Sequence, residues 1–198
     1  MLVTLFSDAS LCPMTGTSAW AAWAKCDRGA TRGDGPLKCT LDDSAIIEAM
    51  AVVNGLVIAQ RARLIEPGDT VLVQTDNNAV MDVLEGTAKR RASARKKNRR
   101  GMSWKGLRAD TKRRNDAIRE VAAYYRKLIE GAGINVLWRH CRGHMGVETK
   151  RAAVNTNCDT RAKARMKEAR REHLRRQANL SEPWMEAPSP LTELPIAA

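Results

Sequence analysis

Four acidic residues far apart in the chain, Asp8, Glu48, Asp76 and Asp159, stand where chemistry could be placed. Asp8 follows the apolar run "LVTLF", Asp76 ends "TVLVQT", Glu48 sits inside "SAIIEAMAVV", and Asp159 closes "NTNCD". A carboxylate at the end of a buried apolar run is costly to hide unless something compensates its charge. Gathered in one cleft, four such groups would repel and raise one another's pKa values, and cations would relieve that strain. Oxygen-only ligation suits hard divalent ions, above all Mg²⁺, which keeps waters and binds phosphate oxygens. Two such ions ~3.5–4 Å apart would clamp the attacking and leaving oxygens of an in-line phosphodiester displacement. Taken singly, each acid is equally an ordinary turn former, helix residue or cap. The set of four points to metal chemistry.

The elements that must position these acids follow from hydrophobic periodicity. Leu2 to Phe6 reads as a first strand, "TSAWAAWAK" as a second, and Leu37 to Leu41 as a short third, with the Gly-rich "DRGATRGDGP" as a hairpin-like connection. The period then changes to that of a helix beginning at Asp42, Asp43 or Ser44, with Ile46, Met50, Val53 and Val57 on one stripe. Thr70 to Thr75 is a fourth strand, Asn77 to Glu85 a short helix ending at Gly86, and "AIREVAAYYRKLIEGAG" an amphipathic helix. "INVLWRH" is a fifth strand, and a polar loop leads to a last helix beginning near Cys158. Three antiparallel strands followed by strands that alternate with helices imply an α/β fold, a mixed five-stranded sheet flanked by helices. In this reading Asp8, Asp76 and Asp159 lie at element boundaries, where α/β folds place ligands.

The chain has 198 residues, of which 43% are hydrophobic and 4% aromatic, enough for one domain with a core of aliphatic side chains. Its beginning lacks the pattern of a secretory signal, no run reaches the ~18 apolar residues that span a bilayer, and a cytoplasmic location is expected. Five cysteines without a C-x-x-C pair fit reduced thiols. The net charge of +12 is unevenly spread. Residues 86–116 hold thirteen Lys and Arg against two Asp, and 161–176 hold eight against two Glu, which leaves the remainder acidic. Two basic segments on an acidic body suit a surface that meets phosphates, although solvated charge runs would give the same map.

With these residues in hand, the chain resembles the type I ribonuclease H family over roughly Leu2 to Arg165. "FSDAS" is similar to the strand end that carries the family's first aspartate, with Asp8 and Ser10 in place. "SAIIEAMAVVNGL" resembles the helix with the second metal ligand, Glu48, and "VLVQTDNNAV" the strand end with Asp76, followed by Asn77 and Asn78. "RGHMGVETKRAAVNTNCD" resembles the G-H-x-G loop and the N-x-x-C-D that follows it, matching Gly143, His144, Gly146, Asn155, Cys158 and Asp159. "RRGMSWKGLRADTKRRND" is similar to the basic protrusion of bacterial members that grips the DNA strand, with Trp104, Lys105 and Arg108 placed to contact substrate.

The resemblance implies a ribonuclease H-like fold and an endoribonuclease that hydrolyses the RNA strand of RNA/DNA hybrids, leaving a 5′ phosphate and a 3′ hydroxyl. Asp8, Glu48, Asp76 and Asp159 would bind two Mg²⁺ ions, with Mn²⁺ able to substitute. His144 would assist proton movement or product departure. Ser10, Asn77, Asn78, Trp104, Lys105, Arg108 and Asn155 would contact the nucleic acid. Where the family often has an asparagine six residues after the first aspartate and an Asn pair before the glutamate, this chain has Met14, Ser44 and Ala45. The domain is expected over 1–178, with a basic insertion at about 87–114, a basic C-terminal helix and a Pro-rich tail at 179–198, as a monomer.

Three other readings share parts of this pattern. A Holliday-junction resolvase or DNA-directed nuclease would use the same acids on another substrate, and an inactive nucleic-acid-binding module would fit the charge map. A zinc site of His140, Cys141, His144 and Cys158 has a spacing that matches no standard finger. Trp20 and Trp23, inside a strand, are expected to pack rather than to stack on bases.

Overall fold

The computed structural model describes residues 1–37, 43–88, 104–141 and 149–181, and among these the side chains of all but 104–110 and 180–181. The strands are β1 (Leu2–Leu11), β2 (Ser18–Cys26), β3 (Gly29–Leu37), β4 (Thr70–Thr75) and β5 (Asn135–His140). The helices are α1 (Ser44–Arg61), α2 (Ala79–Leu84), α3 (Trp104–Ala132) and α4 (Lys150–Ser181). The strands form one sheet in the order β3-β2-β1-β4-β5. β1 runs antiparallel to β2, and β2 to β3, while β1/β4 and β4/β5 are parallel. This is the mixed five-stranded α/β sheet expected from the order of elements.

Alternation along β1 divides the core. Val3 and Leu5 point to one face, where they join Ile46, Val52 and Leu56 of α1 and Ile118 and Tyr125 of α3 in the main apolar cluster. Phe6 points to the other face and packs with Ala21 of β2 and Cys158 and Ala162 of α4. Side chains of a strand alternate between faces, so one strand can serve both layers. Gly55 lets α1 lie close to the sheet. A Cβ there would come within 2.9 Å of Leu5 Cδ1 and 3.0 Å of the Ala22 Cβ.

Several boundaries differ from the sequence-based expectation. β1 continues past Phe6 to Leu11, so Asp8 lies within the strand rather than after it. β3 occupies the Gly-rich stretch that reads as a connection and reaches Leu37, while residues 38–41 of the expected third strand lie outside the described residues. The reason is packing. A Cβ at Gly33 would sit 3.1 Å from Ile58 and 3.2 Å from the Trp20 ring, so the strand is glycine-rich because those side chains lie across it. Trp20 packs against the main cluster and Trp23 lies 6.0 Å from the Phe6 ring, as packing residues.

The buried face of α1 is far wider than the stripe read from spacing. It includes Ala45, Ile47, Ala49, Ala51, Val52, Leu56 and Ala59, because sheet and helices cover it together. By length and composition α1 could cross a membrane, but 56% of it is buried inside the protein, as befits a core helix. α3 starts at Trp104, well before the expected Ala117, and α4 starts at Lys150 rather than near Cys158. Asp159 therefore lies inside α4 and does not open it. α4 also continues through Ser181, into the stretch expected as tail. Residues 89–103, with most of the basic run, and 182–198 lie outside the described residues.

Candidate active site

The sheet's register places the first two acids. The parallel β1/β4 ladder ends with Phe6 opposite Gln74, and the same register carried two residues further sets Asp8 level with Asp76. There β1 continues with β2 alone, pairing Asp8 with Ala21, and β4 stops at Thr75. Where neighbouring strands part at their carboxyl ends, an open sheet forms a crevice. Glu48 reaches this end from α1, whose N-terminus is capped by Asp43 accepting from the Ala45 N–H at 3.1 Å. Asp159 reaches it from α4, one residue beyond the buried Cys158.

Electrostatics shows how closely these carboxylates are coupled. The Asp8 carboxyl is pushed up to about 8, by burial first and then by the charges of Asp76, Asp159 and Glu48, while the Ala9 N–H, 2.7 Å from Oδ1, pulls it back. Glu48 is raised to about 7 by burial and by the charges of Asp76 and Asp43, against an opposing interaction from the Asn77 side chain. Its Oε2 is buried with no hydrogen-bond partner. Asp8 therefore feels the charges of the other three acids singled out in the sequence, and Glu48 feels that of Asp76. In this arrangement, among the described residues, no three His, Cys, Asp or Glu side chains converge tightly enough to ligate one ion.

The donor chemistry nonetheless suits a hard cation. The set is all oxygen, one carboxylate oxygen is buried and unsatisfied, and Asp8 carries the mutual repulsion that positive charge relieves. A zinc site has less support. The Cys158 thiol is raised to about 12 by burial and by Asp8, opposite to the shift a thiolate ligand needs, and Cys141 donates to Gln74 Oε1 at 3.5 Å.

The residues expected to contact substrate fall in different places. Ser10 is half-buried on β1, two residues beyond Asp8 and on the same face, and Asn78 is exposed ahead of α2. Asn77 is turned to local work: its Oδ1 accepts from the Ala79 N–H at 3.0 Å, and its side chain acts on Glu48. Asn155 is buried, with Oδ1 unpartnered. Trp104, Lys105 and Arg108 start α3 with side chains outside the described set, and Gly143, His144 and Gly146 fall at 142–148, outside the described residues.

Two neighbours of the site, Lys163 and Arg114, escaped the sequence reading, and His140, considered there only as a zinc ligand, is a third neighbour. Lys163 donates to Asp159 Oδ2 at 2.7 Å, a pair signalled by i,i+4 spacing on a helix. His140 Nε2 lies 3.1 Å from the Asp76 carbonyl oxygen. Arg114 of α3 pairs with Asp43, the cap of the helix that carries Glu48. The last two have no local sequence signal because their partners are more than sixty residues away.

Among solved structures, the chain is similar to ribonuclease H1 from the halophilic archaeon Halobacterium salinarum, at 15% identity and a TM-score of 0.55, covering 85% of this chain and 100% of that one. The chain has the ribonuclease H fold. A second likeness is to the N-terminal ribonuclease H domain of a Mycobacterium tuberculosis protein, solved as a fusion with maltose-binding protein. It has 15% identity and a TM-score of 0.53, and covers 87% of this chain and 98% of that one. No protein-family profile matches the sequence, and no curated protein does. The resemblance to type I ribonuclease H read from the motifs is thus supported at the level of the ribonuclease H fold, with Asp8 inside β1 and Asp76 just after β4 here.

Proposed function

We infer that the chain is a metal-dependent endonuclease that hydrolyses the RNA strand of RNA/DNA hybrids. The observation that carries this reading is Asp8, buried where β1 and β4 part and acted on by Asp76, Asp159 and Glu48 together. Asp8, Glu48, Asp76 and Asp159 would hold Mg²⁺, two ions when fully loaded. Bound there, Mg²⁺ would supply positive charge to the phosphate and a water acidic enough to act as nucleophile. Hydrolysis there would place the water oxygen on phosphorus, break the bond to the 3′ oxygen and pass a proton to that oxygen, leaving a 5′ phosphate and a 3′ hydroxyl. His144 would assist the proton's movement, and Asn77 would steady Glu48, on which its side chain acts. Ser10 and Asn78, accessible beside the crevice, would meet the nucleic-acid backbone, while Trp104, Lys105 and Arg108 would grip it from the start of α3.

The test is incubation of labelled hybrid, duplex RNA, duplex DNA and a four-way junction with wild type and Asp76→Asn, in Mg²⁺ or EDTA. Metal-dependent cutting of the hybrid, abolished by the substitution, is the expected result. Preferred cutting of the junction would replace the reading with a resolvase. Binding without any cutting would replace it with an inactive module.

A further inference from the structure

α4 extends well beyond the part that packs on the sheet. Its contacts with the sheet run through Cys158 and Ala162, and Arg161 and Arg165 close the junction by pairing with Asp34 of β3. Past that clamp, charges on the helix sort by face. At 100° per residue, Lys163, Lys167, Arg170, Arg171 and Arg175 fall within one arc of about 140°. All five are exposed. The two acids of this stretch lie outside the arc and are occupied within the helix, Glu168 by Arg165 and Glu172 by Arg176. Asp159 lies about 20° beyond the other edge of the arc, joined to its first member by the Lys163 ion pair. Arg170 is near enough to the β1–β2 connection for its charge to act on Cys12. The stripe thus starts at the acidic pocket and leads away from it.

The geometry points to α4 as a second docking surface, a track along which Lys167, Arg170, Arg171 and Arg175 bind the sugar-phosphate backbone of duplex nucleic acid running out of the active site. This deepens the nuclease reading and rests on it for the substrate. Charge complementarity selects the occupant: past the Lys163–Asp159 pair, Lys167, Arg170, Arg171 and Arg175 stand exposed on one face with Glu168 and Glu172 turned beyond its edge, and a duplex backbone presents phosphates at regular intervals. From Asp159 to Arg175 the helix rises about 24 Å, the length of about seven base pairs at 3.4 Å each. Leu174 is the one large apolar side chain exposed within the arc, too little to favour a membrane or an apolar groove as partner.

The test compares the full chain with a variant carrying Lys167→Ala, Arg170→Ala, Arg171→Ala and Arg175→Ala, and with a charge-keeping variant carrying Lys167→Arg, Arg170→Lys, Arg171→Lys and Arg175→Lys. Binding to a labelled hybrid is measured in EDTA across a salt series, and cleavage in Mg²⁺. Each neutralised phosphate contributes about 0.9 to the slope of log K against log salt, so the alanine variant should lose up to about 3.6 from that slope and at least about tenfold in affinity at low salt. Its KM should rise with kcat little changed, and the charge-keeping variant should behave as wild type. Equal affinity and slope in wild type and alanine variant would overturn the track. So would an alanine variant that loses binding only to phosphatidylserine vesicles, or a charge-keeping variant that loses as much as alanine. Loss of hybrid binding in the alanine variant, with no cleavage by wild type in Mg²⁺, would leave the track standing and sink the nuclease reading instead.

Discussion

The two ends of β4 carry aspartates in opposite circumstances. Asp69, just before the strand, accepts from the Met1 amino group at 2.8 Å and the Glu66 N–H at 2.9 Å, and is paired with Arg28. These partners hold its carboxyl at about 2. Asp76, just after the strand, belongs to the group that drives Asp8 to about 8. At one end a carboxylate is surrounded by donors supplied by the chain itself, and at the other, carboxylates surround one another. Buried charge is tolerated in the first case because hydrogen bonds and opposite charge replace water. In the second case Asp8 has only the Ala9 N–H to set against burial and three neighbouring charges, and its carboxyl moves the opposite way from that of Asp69.

The comparison can be broken in four ways. Replacing an acid of the crevice should cost activity and little stability, so Asp76→Asn is expected to lower Mg²⁺-dependent hybrid cleavage by at least about a hundredfold while the melting temperature holds or rises. In EDTA at pH 7, Asp8→Asn is expected to raise Tm by several degrees, since it removes a carboxyl that the folded state holds away from its ordinary ionisation. Asp8 binds more protons folded than unfolded between its ordinary 3.8 and about 8, so that advantage grows as pH rises through this range. Mg²⁺ should stabilise wild type more than this variant.

Asp69→Asn should do the reverse, lowering Tm at pH 7 and sparing cleavage in the folded chain. Asp69 has a folded value of about 2 against an ordinary 3.8, so its contribution is present above about pH 4 and lost as pH falls towards 2. A Tm difference between wild type and Asp69→Asn that persists at pH 2 would contradict the account. The smallest effect expected is at Gly55. A valine there must displace Leu5 or Ala22 and should cost about 1–3 kcal/mol, roughly 2–4 °C in Tm for each kcal/mol in a chain of this size. Unchanged thermal unfolding of Gly55→Val would mean that α1 sits less tightly on the sheet than described.

Much of this arrangement was legible in the residues. Thr70 to Thr75 and Asn135 to His140 are strands as their apolar runs imply, and α1 begins at one of the three capping candidates, Asp43. These features are local, set by side-chain periodicity and capping within a few residues. β3 was not legible, because glycine in a strand is explained only by Trp20 and Ile58 lying across it. The starts of α3 and α4 were missed for a related reason. Polar, charged stretches such as Lys150 to Asn157 carry little apolar periodicity, and part of α4 is held by Asp34, more than a hundred residues away in sequence.

By itself the sequence determined which residues are acidic, which runs are apolar and where basic charge is concentrated, since these depend on composition and local spacing alone. Only the tertiary structure decided that Asp8 is level with Asp76, that Asp159 projects from the interior of a helix, and that one end of β4 is compensated while the other is not. The physical reason is that a carboxylate's state is set by what surrounds it in space, and the surroundings of Asp8 come from α1, β4 and α4, brought together by strand register and by burial of the two apolar clusters.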